Sequence, residues 1–308
     1  MRCNLGSRID NSVDAGSLDL SVEIAFPVTE RALSQLDEWL SELAAPLLPL
    51  KAVPAGPPEA NGFRWAFREE TERALVIGKS VRMISAIRAA FILVDLGYVT
   101  ECGTLLRTVS DFAGEITSIT EGVRSSNPTA AQKKFLEQYF TPIPEDPDEY
   151  DALKNEQFVT RDRLLSAHYR LAEEGYKTNA KDSVDPVRVR KVVRYLAHMY
   201  DKYVHGAYVT AMELYDGKTW RFMVSGIESV EYRYMCKTQA ASKLHEAVCA
   251  LFMIAHGMGM SRLTEAIDAA QKELYQSGEL SPSDTFGAVH RMVRSLLVRK
   301  SEPRPTVH

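Results

Sequence analysis

Apolar residues recur at intervals of three and four along most of this chain, the spacing that turns one face of an α-helix toward a core. Leu33, Leu36, Leu40 and Leu43 predict a helix from Thr29 as N-cap to about Ala45, stopped by Pro46 and Pro49. The proline- and glycine-rich stretch 48–62 predicts no regular structure and marks a boundary before the main body. Ala74, Ile77, Val81, Ile84, Ile87, Phe91 and Val94 predict one long helix over 63–96, closed by Gly97. A few residues separate it from a second helix, 100–121 before Gly122, so the two run antiparallel as a helical hairpin.

Asn127 and Pro128, as N-cap and first helical residue, open a shorter helix to Phe140. Thr160 caps another over 161–174, and Asp185 with Pro186 repeats the start signal for a helix reaching His205. His205-Gly206 marks a bend, and 207–214 continues as a short helix. Trp220, Phe222 and Val224 alternate with polar or smaller residues and form the one good strand candidate, which Ser225-Gly226 turns toward 227–232 as a ribbon. Residues 232–277 read as one helix with Ala247, Leu251, Ile254 and Met258 buried, ended by Gly278. A basic amphipathic helix over 283–300 precedes the tail. The sum is an all-α chain, an antiparallel helical bundle with at most one small β-hairpin. It divides into an N-terminal arm, helix and linker (1–62), the bundle (63–278), and a basic C-terminal helix and tail (279–308).

Composition narrows the class without choosing a function. Of 308 residues 45% are apolar and 25% charged, which fits a globular chain long enough to bury a large core. The net charge of −4 argues against wholesale coating of nucleic acid but leaves room for a local phosphate site. Cys3, Cys102, Cys236 and Cys249 are scattered, with no C-x-x-C pair, so neither a zinc site nor a disulfide framework is signalled. The first twenty residues are polar and show no secretory pattern. The longest apolar run, 247–260, is interrupted by His256 and falls short of a membrane span. A soluble cytoplasmic protein with no membrane association is expected.

Two stretches carry candidate chemistry. In 188–208, Val189, Val192, Val193, Leu196, Met199 and Tyr203 form an apolar face. Arg188, Lys191, Arg194, His198, Lys202 and His205 share a cationic stripe on the other side. Such a stripe is either a solvated helix face or a site for phosphate, with His205 at the helix end placed for proton transfer. In the second helix, Arg107, Asp111 and Glu115 stand at four-residue intervals beside a strip of small residues, Gly103, Ser110, Gly114 and Thr117. Each interior glycine costs about 1 kcal/mol relative to alanine, a cost offset where another backbone or a ligand approaches closely. That ladder reads as a semi-buried polar site or as a surface ion pair worth a few tenths of a kcal/mol.

Arg107 followed by Asp111 in the second helix of a hairpin, and later Tyr200, Tyr203, Val204, His205 and Gly206, resemble uncharacterised bacterial helical proteins related to the HEPN superfamily. The resemblance spans about residues 70–215. It implies a small α-bundle acting as a metal-independent ribonuclease of a defence or stress system, with its site built across a symmetric dimer. That family's Arg, four to six residues, His pattern is matched by Arg163 and His168, and Arg194 with His198 is one residue short. The resemblance makes His205 the base, Arg107 or Arg194 the phosphate-binding cation, and His198 or Tyr203 the acid. Asp111, Lys191, Lys202 and Tyr203 complete the binding set.

Other chemistries find no motif: H-E-x-x-H, a P-loop, a strand-borne G-x-G-x-x-G and G-x-S-x-G are all missing. His245, Glu246 and His256 read as hydrogen-bonded core groups rather than metal ligands, so no metal and no cofactor is expected. The run MIAHGMGM reads as core packing or a subunit contact, and Arg291, Arg294, Arg299, Lys300 and Arg304 as solubilising charge. RNA and a second copy of the chain are the expected partners. The competing expectation is a non-catalytic helical module in which the same polar residues are structural and the late helix dimerises.

Overall fold

The centre of the fold is the helical hairpin the periodicity predicts. A computed structural model describes residues 25–55, 62–141, 148, 159, 164, 201–204, 212–216, 220–227 and 229–280. Helix α2 (Glu72–Asp95) and helix α3 (Val99–Arg124) pack along their lengths. Gly97 turns the chain between them at φ +82°: its N–H reaches Val94 O (2.9 Å) and the N–H of Tyr98 reaches Leu93 O (2.8 Å), closing α2 with paired end bonds. A side chain at Gly97 would also meet Ile227 O at 2.6 Å. Val81, assigned to the buried stripe of α2, is exposed.

The long C-terminal helix of the sequence reading is two helices, α6 (Val230–Gly257) and α7 (Ser261–Gln276). Gly259 at φ +68° breaks it, with Met260 N–H returning to Ala255 O (3.0 Å), and α7 folds back on α6. Helix α6 packs on both α2 and α3, and α1 (Pro27–Ala44) lies on α2, α6 and α7. One apolar core joins them, with Leu36, Ile87, Val109, Ile116, Leu251 and Ile267 withdrawn from solvent. Among the described residues no helix is long and apolar enough to cross a membrane.

Several predicted boundaries shift for identifiable reasons. Helix α1 starts at Pro27 rather than after Thr29, because its first free N–H groups, on Val28 and Thr29, donate to the Glu279 carboxylate at 3.0 and 2.8 Å. Thr29 is buried and caps nothing. Helix α2 starts at Glu72, not Phe63, with Thr71 as its cap. Helix α3 runs through Gly122 to Arg124, since Gly122 makes room for the Gln132 side chain, whose Oε1 would lie 2.8 Å from an added Cβ. That glutamine closes a capping box with Thr129, so helix α4 (Ala130–Phe140) opens there and not at Asn127.

The stretch read as unstructured linker contains an antiparallel ribbon, β1 (Lys51–Ala55) with β2 (Gly62–Ala66). Pro54 is tolerated because a two-stranded ribbon has free edges. The predicted strand around Phe222 exists as β4 (Arg221–Phe222), but its partner is the preceding β3 (Tyr215–Asp216). Residues 227–232 are committed elsewhere: Ile227 N–H bonds Gly97 O (2.9 Å) and Ser229 caps α6. Among the described residues the bundle thus carries two small hairpins where at most one was expected. Helix α5 (Asp201–Val204) is the described part of the helix predicted over 186–205. Leu164 is buried in the predicted 161–174 helix, whose remaining residues lie outside the described ones, as do the arm 1–20 and the helix 283–300.

Candidate functional site

A polar seam runs along the face of α3 that carries its small residues. At its first turn stands Gly103, and Tyr203 from α5 lies flat on it: a Cβ added to Gly103 would fall 2.5 Å from Tyr203 Cγ. The close approach expected at this strip was that of a backbone or a ligand; at Gly103 it is made by an aromatic side chain. One turn further along, Arg107 is buried and its Nη1 donates to Asp111 Oδ1 in an i,i+4 ion pair, with side chains 10% and 30% exposed. A guanidinium withdrawn this far needs its carboxylate, because removing one partner of a buried pair costs about 3–5 kcal/mol.

At the next turn Glu115 does not extend the ladder on its own helix but reaches Lys79 of α2 at 2.8 Å. The Lys79 ammonium sits 5.1 Å from the centre of the Phe112 ring and 5.3 Å from those of Phe135 and Tyr139. Three ring faces and one carboxylate hold this cation by electrostatic attraction to the π clouds and by direct pairing. Burial first, and then the Glu115 charge, raise the Tyr139 phenol above its usual range, so it stays protonated beside them. On the flank facing α6, Ser110 Oγ donates to Glu246 Oε2 at 3.2 Å and Lys243 Nζ to the same oxygen at 2.8 Å.

The surroundings of Tyr203 are also polar. Tyr232 of α6 donates its hydroxyl to Glu213, and its phenol is pushed well above the ordinary value, by burial first and then by the Glu213 charge, with Tyr203 close enough to contribute. Burial likewise raises the Cys102 thiol, with Cys236 near it. The Cys102 sulfur is therefore held as the thiol.

Of the predicted site residues, Arg107, Asp111 and Tyr203 come together on one face of α3. Lys202 lies in α5. Lys191, Arg194, His198 and His205 lie outside the described residues, as do Tyr200, Gly206, Arg163 and His168. Sequence reasoning passed over Lys79 and Tyr139, although a lysine after a glycine inside the apolar run of α2 was a visible signal. It also passed over Lys243 and Tyr232, whose relevance depends on partners from α3 and from Glu213.

His245 is buried as expected, and burial lowers its pKa, so the ring is neutral beside Cys249 Sγ at 3.9–4.0 Å. His256 departs from the core assignment: it is exposed, with its ring stacked on Phe252. Among the described residues no group of three His, Cys, Asp or Glu side chains is placed to hold a metal ion. No family model, no curated protein and no solved structure matches the chain.

Proposed function

We propose that this protein is an HEPN-like helical ribonuclease that cleaves RNA without a metal ion, at the end of the α3 seam where Tyr203 meets Gly103. The observation that carries the reading is that contact. Tyr203 precedes His205 by two residues, and its ring rests one helical turn from the buried Arg107–Asp111 pair.

In this reading the neutral imidazole of His205 takes the proton of a ribose 2′-hydroxyl, and the freed oxygen attacks the adjacent phosphorus. Arg107 or Arg194 stabilises the charge that builds on the phosphoryl oxygens, while Asp111 keeps the Arg107 fork oriented. The bond from phosphorus to the 5′-oxygen breaks as His198 or Tyr203 supplies a proton to the leaving oxygen. The products are a 2′,3′-cyclic phosphate and a 5′-hydroxyl. Lys191 and Lys202 hold flanking phosphates. The test incubates the purified protein with total RNA in EDTA, beside His205→Ala. Fragments ending in cyclic phosphate, formed at least about a hundredfold more slowly by the variant, are expected for a lost general base. Equal degradation by both proteins, or none by either, overturns the reading.

A second reading has its own support. Arg107 is closed by Asp111, Lys79 by Glu115, and Glu246 by Ser110 and Lys243, the pattern of a network that specifies packing. In that case the protein is a non-catalytic helical module that works by self-association. Sedimentation velocity showing a stable dimer, together with intact RNA in the EDTA assay, selects it.

A further inference from the structure

One side of α2 is apolar and bare. Most apolar residues of this helix, Ile77, Ile84, Ile87 and Phe91 among them, are spent on the core. Val81, Ile92 and Leu96 are not: they are 47%, 60% and 61% exposed. With Ser85 and Ala89 they follow one another at spacings of three and four, so they form a single stripe along the outside of the bundle. Ser85 is exposed and Ala89 half-buried, and both are small, which leaves the middle of the stripe open to close approach by another helix. A helix that is apolar on every side is normally covered on every side. From Val81 to Leu96 the stripe is about 22 Å long.

The described chain ends beside one end of this stripe. Glu279, just before the buried Leu280, accepts the N–H groups of Val28 and Thr29 at the start of α1. Phe26, next to that start, meets the Tyr234 ring at 5.7 Å. Lys237 lies 5.6 Å from the Phe26 ring centre and 3.2 Å from the carboxylate of Asp95, the neighbour of Leu96. Leu280 and Leu96 therefore stand at the same end of the bundle. Residues 281–308 lie outside the described ones, but their sequence predicts an amphipathic helix over 283–300. Phe286, Val289, Met292, Val293, Leu296 and Leu297 fall within one arc of it, with Arg291 and Arg294 on the other side. Such a helix is about 27 Å long, enough to run the whole stripe. The chain from Leu280 to Phe286 reaches about 20 Å when extended, enough to pass over the start of α1. A short link after α7 also folds the next helix back antiparallel to it, which carries this segment from the Leu96 end toward Val81.

Charge points the same way. Helix α1 borders the stripe, since Arg88 of α2 donates to Leu33 O and to the Asp37 carboxylate, each at 2.9 Å. That helix carries Glu30, Asp37, Glu38 and Glu42 against a single arginine, Arg31, which is already paired with Glu273. Residues 281–308 carry five Arg and Lys against Asp284 and Glu302, so a basic segment would lie next to an acidic flank. On the other border stands one exposed cation, Arg82. A second copy suits the stripe less well: three exposed apolar side chains from each chain fall far short of the 20–30 or so residues a side in a standard interface. We propose that residues 283–300 dock in cis on the outer stripe of α2, with their apolar arc on Val81, Ile92 and Leu96 and with Arg291 and Arg294 outward. This cover is independent of the ribonuclease reading of the seam.

The experiment uses the full chain carrying Ser85→Cys and follows alkylation of that thiol by N-ethylmaleimide, read on its own peptide by mass spectrometry so that the native cysteines do not interfere. Slow labelling is expected, faster by at least about tenfold when Val293→Ser/Leu296→Ser removes two apolar groups from the segment, because opening of a docked helix then limits access less. Amide hydrogen exchange over 283–300 should report the same contact from the other side, with protection that Ile92→Ser/Leu96→Ser reduces by a similar factor of about ten. Both protections should be unchanged on a hundredfold or so dilution, since docking within one chain does not depend on concentration. Should Ser85→Cys not fold, Ala89→Cys places the same probe one turn along the stripe. Labelling in the otherwise unaltered chain as fast as that of a free thiol overturns the proposal. Slow labelling that the segment substitutions leave unchanged also overturns it, because another part of the chain then covers α2. Protection that disappears on dilution overturns it as well and assigns the stripe to a second copy.

Discussion

Replacing Gly103 with alanine tests the contact on which the candidate site is built. Two effects oppose each other. Alanine is a better helix former than glycine by about 0.8–1 kcal/mol, which favours the variant. Against this, the new methyl would lie 2.5, 2.6 and 2.8 Å from three carbons of the Tyr203 ring, distances at which either the ring or its helix must move. Overpacking of this kind costs about 1–3 kcal/mol, so the net result in the wild-type background is a loss of up to about 2 kcal/mol. The sign should reverse once the ring is gone: in a Tyr203→Ala background, Gly103→Ala should stabilise by roughly the propensity difference. Urea unfolding of the four proteins gives the cycle directly. Stabilisation by the same amount in both backgrounds would mean that Tyr203 does not rest on Gly103, and the proposed site would lose its geometric support. If the protein is the ribonuclease proposed above, the same substitution should also slow its cleavage of RNA, because Tyr203 precedes His205 by two residues.

Lys79→Met removes the cation from its cage and leaves Glu115 facing three rings, a loss of about 3 kcal/mol in urea unfolding, which the added change Glu115→Gln should partly restore. An undiminished midpoint in Lys79→Met would refute the buried pairing. Burial of His245 lowers its pKa below the usual 6.5, so below that pH the unfolded chain takes up a proton that the folded one refuses. Its contribution is complete above about pH 6.5 and fades as the pH falls. His245→Gln should therefore flatten the loss of stability between about pH 7 and pH 5, measured as unfolding free energy, and an unchanged slope counts against the buried neutral ring.

The candidate site divides in the same way as the fold. Arg107 and Asp111 were legible together because one helical turn separates them and a helix brings such residues side by side whatever surrounds it. The need for a close neighbour at Gly103 was also legible, as a cost without a local reason; that the neighbour is Tyr203 depends on how α5 meets α3. Glu115 looked like the third rung of a ladder, yet its charge is spent on Lys79 in another helix. No spacing rule within α3 contains that partner.

By itself, the sequence determined the helical class, the α2–α3 hairpin with its turn at Gly97, the glycine termination of α7, and most of the buried stripe of α2. These follow from the period of the backbone and from the few residues that tolerate a left-handed turn, both short-range properties. Tertiary structure alone decided where helices begin and what the polar groups are for. Glu279 caps α1 from 250 residues away, Gln132 displaces the start of α4 and fills the space at Gly122, and Lys79 finds its charge partner across the hairpin. A hydrogen-bond donor or a buried charge is satisfied by whichever partner the fold brings within about 3 Å, and that distance is set by packing, not by position along the chain.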